Sequence, residues 1–188
     1  AMDNIIFPSH KDYSLGFRDD QVEWLRQDLS YVSKDKMVIL CVHIPMRASG
    51  NQNVQAVFEL LKPFAEVHVM SGHTHYAENN VYDSHYEHVH GAACGAWWNS
   101  TINVDGTPNG YAIYNIKGAT ITDWVYKGTG LDAQQQIRLY RANDIFMRDY
   151  SKNYQFYYKG DDQIVANVWN ADKDWKIEVY ENGIKTGE

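Results

Sequence analysis

Residues 37–45 read MVILCVHIP, an apolar stretch closed by a histidine, an isoleucine and a proline. A short, continuous apolar run rich in β-branched residues reads as a strand covered on both faces. Pro45 lacks the N–H that a ladder needs and stops the strand, so His43 falls at its carboxyl end. Cys41, inside the run, is expected to be a buried core thiol. Residues 4–7 (NIIF) read as an earlier short strand. Residues 17–33 (FRDDQVEWLRQDLSYVS) carry Val22, Leu25, Leu29 and Val32 at helical spacing, with Asp20 and Glu23 resembling a capping box. Residues 52–64 (QNVQAVFELLKPF) form a second helix with Val54, Val57, Phe58 and Leu61 as its stripe and Pro63 as its stop. Residues 66–70 (EVHVM) are the next strand.

The order β-α-β-α-β predicts an α/β domain with a parallel sheet and right-handed crossovers. Ligands of such sheets gather beyond the carboxyl ends of the strands. His43 ends one strand, and His73 and His75 in VMSGHTH (69–75) follow the next, so all three are expected on one edge of the sheet. Gly72 is expected to let the backbone turn tightly off the strand. Neutral imidazoles suit zinc, iron, manganese or nickel.

The pattern then changes to antiparallel β-structure. Residues 79–94 (NNVYDSHYEHVHGAAC) read as a hairpin, DGTPNG (105–110) as a turn cluster, and residues 111–118 and 120–128 as two strands meeting at Gly118. A boundary is expected near residues 127–134 (KGTGLDAQ), dividing the chain into 1–128 and a partial β-module, 129–188. Strand signals in that module are 135–142, 163–170 and 175–183, the last ending in a hairpin-type turn whose returning strand is expected to be cut short. Residues 143–162 read as a long connection packed by its aromatics.

Composition narrows the function. A net charge of −7 argues against a nucleic-acid footprint, and an anionic substrate needs local positive charge from a metal or a few basic side chains. No apolar run is long enough to span a bilayer, and no charged-then-apolar leader opens the sequence. The two cysteines, Cys41 and Cys94, have neither zinc-knuckle nor CxxC spacing.

A strand followed by HIPM (43–46), then a helix and SGHTH (71–75), resembles the second half of the calcineurin-like metallophosphoesterases, and GFRDDQVEWLRQDL (16–29) is similar to the helix ahead of that histidine. HGAACGAWWN (90–99) and DGTPNGYAIYNI (105–116) look like a subgroup with an extra C-terminal β-domain. The resemblance implies half of that family's α/β sandwich followed by a partial all-β module. It also implies metal-dependent hydrolysis of phosphate esters at a centre of two divalent transition metals (Zn, Fe, Mn or Ni), with a bridging hydroxide as nucleophile. His43 and His73 would bind one metal and His75 the other.

The family's carboxylate and asparagine ligands come from motifs that have no counterpart before residue 43, so the chain is expected to be the C-terminal half of a longer enzyme. It is expected to bind at most one metal, weakly, and to be inactive alone. No catalytic residue is assigned within it. The missing half or a second copy is the expected partner, beside a small phosphoester substrate. The subgroup leans toward export to the periplasm or outside the cell.

Trp97, Trp98, Asn99, Asn109 and Tyr111 form either a substrate wall or packing against the β-module. His90 is a candidate residue of the site's lip. His88 shares its strand face and reads more simply as part of a half-exposed strand. The competing function is a non-catalytic β-rich module that binds carbohydrate or protein, with incidental histidines. A structural zinc domain fits less well, because three histidines alone leave a closed site incomplete.

Overall fold

A computed structural model describes residues 1–47, 51–98, 100–141 and 163–188. The central element is a four-stranded mixed sheet. Strand β3 (Met37–Cys41) lies at its edge, β4 (Glu66–Ser71) beside it, then β6 (Tyr86–Val89) and β5 (Glu78–Val81). β3, β4 and β6 run parallel, and β5 is antiparallel to β6. The expected hairpin over 79–94 is therefore present, but its second strand also extends the parallel sheet.

Helices α1 (Asp19–Ser30) and α2 (Val54–Leu61) cover one face. Val22, Leu25 and Leu29 of α1 and Val54, Val57 and Leu61 of α2 are buried in one cluster with Leu40, Val67 and Val69 of the sheet. Each such side chain contributes about 1.5–3 kcal/mol on burial. The surface ion pair Arg18–Asp20 is solvent-screened and decides nothing here. The cap of α1 differs from the expected one: Gln21, not Glu23, reaches back to accept the Arg18 N–H at 3.0 Å, and Asp20 pairs with Arg18 instead.

Two expectations about the sheet are corrected. Residues 4–7 do not add a parallel strand. Met2 N–H bonds the Cys41 carbonyl at 2.9 Å, but Asn4 then meets residues 43 and 44 through its side chain, which ends the pairing. The chain leaves as β1 (Ile5–Ile6), which pairs among the described residues with β2 (Ser14–Leu15) in an antiparallel hairpin. Nor is β3 covered on both faces. Leu40 is buried on the helix side, whereas Ile39 is half-buried and Cys41 exposed. The physical reason is a partial second layer. The hairpin of β7 (Gly110–Lys117) and β8 (Thr120–Gly128) packs over β4 and β6 and leaves β3 open. An open groove of about 520 Å³ runs there, lined by Ile39 and Met70 on one side and Tyr111, Ala112, Tyr114 and Ile116 on the other.

Under the hairpin lies a buried polar stack. Glu66 accepts from His68 Nε2 at 2.7 Å, which leaves His68 Nδ1 to accept from His88 Nε2 at 3.0 Å. Tyr86 stacks on His88 with ring centroids 4.0 Å apart, and Tyr114 and Trp124 stand edge-on to it. His88 is thus a satisfied interior residue on one nitrogen, not part of a half-exposed strand.

The C-terminal part pairs β9 (Ile137–Arg141) with β10 (Ile164–Val168), and β11 (Val179–Glu181) with β12 (Ile184–Gly187). β12 is the returning strand that the sequence reading expected to be cut short. It forms because Asn182 and Gly183 both hold positive φ, 51° and 80°, as a tight two-residue hairpin demands. This part docks through buried Trp169, which meets Tyr126, and through Tyr140 O–H donating to the Gly106 carbonyl and Tyr86 O–H donating to Asp172. The expected aromatic connection at 143–162 lies outside the described residues.

Two buried histidines make the fold acid-sensitive. Burial lowers His88 to about 3 and His85, stacked between Phe58 and Tyr82, to about 4. The unfolded chain takes up protons near pH 6.5 that the folded chain refuses, so stability is full above that pH and falls as pH drops toward 4. By pH 5 each site is expected to cost about 1–2 kcal/mol. Urea midpoints measured from pH 7.5 to pH 5 should fall, and His85→Phe, which keeps the ring stack, should remove close to half of the slope.

Candidate functional site

The carboxyl edge of β3 and β4 gathers the candidate histidines. The parallel ladder runs past both strands: Val42 N–H bonds the Met70 carbonyl at 2.9 Å and Gly72 N–H bonds the His43 carbonyl at 3.0 Å. This register puts His43 beside His73. Their rings meet edge to face with centroids 4.8 Å apart, and His43 Nε2 faces His73 Nδ1 at 3.0 Å. The Tyr13 hydroxyl, from the segment leading into β2, lies 3.3 Å from His73 Nε2. That contact occupies the far side of the ring and leaves Nδ1 turned to His43. Burial, and then the proximity of His43 and His75, lower the pKa of His73, which favours its neutral form.

Gly72 does not make the expected tight turn. The left-handed conformation falls on the histidines themselves, at φ 69° for His73 and 56° for His75. Such φ values cost a residue with a side chain about 1–2 kcal/mol each. The surrounding bonds hold them. Thr74 N–H bonds the Gly72 carbonyl, Val104 N–H bonds the His75 carbonyl, and Ala77 N–H donates to Asp105. Strain gathered on the two residues of greatest chemical interest fits a functional loop.

His75 is oriented separately. Its Nδ1–H donates to the Gly95 carbonyl at 2.8 Å, which fixes the tautomer with the lone pair on Nε2. Gly95 holds φ +69°, and a Cβ there would come within 2.2 Å of the Ser100 carbonyl. Trp98, 72% exposed, stands edge-on to His75 with centroids 5.4 Å apart. The structure therefore brings His43 and His73 into contact and sets His75 beside them on its own support. Among the described residues no group of three or more histidine, cysteine or carboxylate side chains is placed to hold a metal ion. The donors suit two positions on a divalent ion and lack the carboxylates of a complete centre.

The other candidates scatter. Asn109 donates its amide to the Ser100 carbonyl and braces the Gly95 turn. Tyr111 is exposed on β7 and lines the groove. His90 has both nitrogens engaged, Nδ1 with the Ser71 carbonyl and Nε2 with the Tyr114 hydroxyl. It ties β4 to the hairpin, and it also lines the groove beside Tyr111. Asn99 and the side chain of Trp97 lie outside the described residues.

A family model described as the C-terminal part of calcineurin-like phosphoesterases matches residues 87–187. The chain belongs to this family. No curated protein matches it. The matched span starts after His75, so the three histidines rest on the geometry above. It contains the loop that carries Gly95 and Asp105 and runs across the expected boundary at 128, through both C-terminal strand pairs. Calcineurin-like phosphoesterases are metal-dependent hydrolases as a class, which agrees with a pair of imidazoles facing each other at a sheet edge.

Sequence reasoning missed Asn4, Tyr13, Glu87 and Asp105. A signal existed for Glu87: in YEHVH (86–90) strict alternation puts it on the same face as Val89, where a carboxyl group has no business unless bonded. Gly95→Ala is expected to lower stability by about 2–4 kcal/mol, through positive φ plus the clash. It should also free the His75 tautomer, read from imidazole nitrogen shifts by NMR.

Proposed function

We propose that this chain supplies the histidine side of a metal-dependent phosphoester hydrolase, with His43 and His73 as ligands of one divalent transition metal and His75 as a ligand of a second. The observation that carries the reading is the 3.0 Å approach of His43 Nε2 and His73 Nδ1 at the carboxyl edge of two parallel strands. A divalent ion there supplies Lewis acidity and positive charge for transfer of a phosphoryl group to water. The chain's own part is positional. The Gly95 carbonyl and the Tyr13 hydroxyl orient imidazoles, and the strained GHTH loop holds them in place. The global charge of −7 repels phosphate, so the site depends on that local positive charge. Carboxylate ligands have to come from outside the described residues, and the chain by itself binds at most one ion, weakly, and turns over little or nothing.

Trp98, exposed beside His75, is proposed as a wall of the substrate site, with Tyr111 further along the groove and Asn109 supporting the loop between them. Residues 1–128 act as the catalytic-domain portion and 129–188 as the β-module. The family's habits favour an exported enzyme. No described helix is long and apolar enough to cross a membrane. A purely carbohydrate- or protein-binding role rests on the same exposed aromatics but leaves the His43–His73 contact without a purpose.

Metal content by elemental analysis after equilibration with zinc or manganese is the direct check. Bound metal should be substoichiometric to about one per chain in the wild type and absent in His43→Ala and His73→Ala. Equal metal in all three proteins would defeat the assignment. The open apolar groove beside β3 is proposed to receive a further layer from the same enzyme or from a second copy. Sedimentation at increasing concentration should show self-association, and strictly monomeric behaviour would count against it.

A further inference from the structure

The histidine reading leaves one buried group without a role. Glu87, on β6, is fully buried and pairs with Val69 of β4 on the helix side of the sheet. An acidic side chain there is costly unless it is bonded. Its Oε1 accepts two bonds, from the Met46 N–H at 2.6 Å and from the Ser71 hydroxyl at 3.3 Å. These donors belong to the two segments that carry the candidate ligands. Met46 lies three residues after His43, and Ser71 two residues before His73.

The accounting of backbone bonds in HIPM explains why such a group is needed. Beyond β3 the chain leaves the ladder, and its N–H groups are buried or half-buried with no neighbouring strand to receive them. Asn4, itself fully buried, takes the N–H groups of His43 and Ile44 on its Oδ1 at 3.1 Å each and donates to the Ile44 carbonyl. Pro45 has no N–H. Glu87 takes the next one, on Met46. Gly72 N–H to the His43 carbonyl closes the path between the two segments. The result is a closed circuit from His43 through Met46, Glu87 and Ser71 to Gly72 and back to His43, braced from outside by Asn4.

We infer that Glu87 is a positioning residue for the metal site: it fixes the spacing of the His43 and His73 imidazoles by tying the Met46 and Ser71 segments to one carboxyl oxygen. This rests on the reading of His43 and His73 as ligands. Glu87 touches neither metal nor substrate. Its action is that of the outer-layer partners around metal ligands, whose loss commonly costs 10–100-fold in metal affinity.

The test separates positioning from packing. Glu87→Met fills the same space, removes a buried polar group and cannot accept a bond. It leaves the buried Met46 N–H and the Ser71 hydroxyl without their acceptor, which lowers stability. Glu87→Gln keeps an acceptor for the Met46 N–H. Cobalt(II) is the probe, with affinity measured by titration calorimetry and by its visible absorption, and thermal midpoints are measured alongside. The ring nitrogens of His43 and His73 are followed by NMR in the metal-free protein. Glu87→Met should fold but melt below the wild-type temperature, bind cobalt at least ~10-fold more weakly, and show shifted His43 and His73 ring signals in the folded protein. Glu87→Gln should restore both readouts toward wild type.

Wild-type cobalt affinity and unshifted ring signals in Glu87→Met would overturn the assignment. Should the wild-type chain bind no cobalt, the ligand reading fails, yet the metal-free ring signals still decide whether Glu87 sets the spacing. Should Glu87→Met fail to fold, Ser71→Ala removes one arm of the circuit. It must then shift the His73 ring signals, or the inference falls.

Discussion

The parallel pairing of β3 with β4 is the constraint on which the rest depends. Its register sets Met37 against Glu66 and Cys41 against Met70, and it continues through Val42 to Met70 and Gly72 to His43. Two consequences follow from one ladder. Val38 and Leu40 share a face with Val67 and Val69, which the two helices bury. One step beyond the strands, the chain is forced apart by Pro45 and by the turn at Thr74, and the two histidines are left at the point of divergence. A slip of one residue would turn the apolar set away from the helices and separate the imidazoles, so the core and the site are protected by the same free energy.

Polar groups do the work where the ladder stops. Leaving a sheet strands N–H and C=O groups, and in a buried segment each one needs a partner. Asn4 and Glu87 serve the loop after β3. Asp105 and Val104 serve the segment after His75, and Gly95 serves its ring. Their cost is the desolvation of a carboxyl or amide. Burial pushes Glu87 and Asp105 above the ordinary carboxyl range, and the bonds they accept pull them partly back. The return is a loop that tolerates two histidines in a left-handed backbone. A loop held only by solvent would relax both of them.

The two faces of the sheet have different chemistry. The helix side is almost wholly aliphatic. The opposite side is aromatic and polar over β4 and β6, where the Glu66–His68–His88 chain lies under Tyr114 and Trp124, and it is bare over β3. The family assignment agrees with this asymmetry: the matched region supplies the hairpin that covers half of the face and the strand pairs that dock on Tyr126 and Tyr86. A mixed sheet with few helices and added antiparallel strands is compatible with part of a calcineurin-like fold.

The local elements were legible in the sequence because they are written in periodicity. The helical spacing of Val22, Leu25 and Leu29, the run at 37–42, the Asn-Gly turn at 182–183 and the histidines after two strands all depend on residues close together along the chain. Cys41 shows where that legibility ends. An apolar run is the same string whether one face is covered or two, and only the position of the β7–β8 hairpin leaves this one open. The left-handed φ on His73 and His75 instead of Gly72, the engagement of both His90 nitrogens, and the Asn4 and Glu87 bonds likewise join residues far apart in sequence. Their partners are chosen by packing, which a one-dimensional pattern cannot carry. The sequence alone determined which histidines follow the two strands and on which edge they would stand. Tertiary structure decided which of their nitrogens face each other, because that depends on what holds the backbone after the strands end.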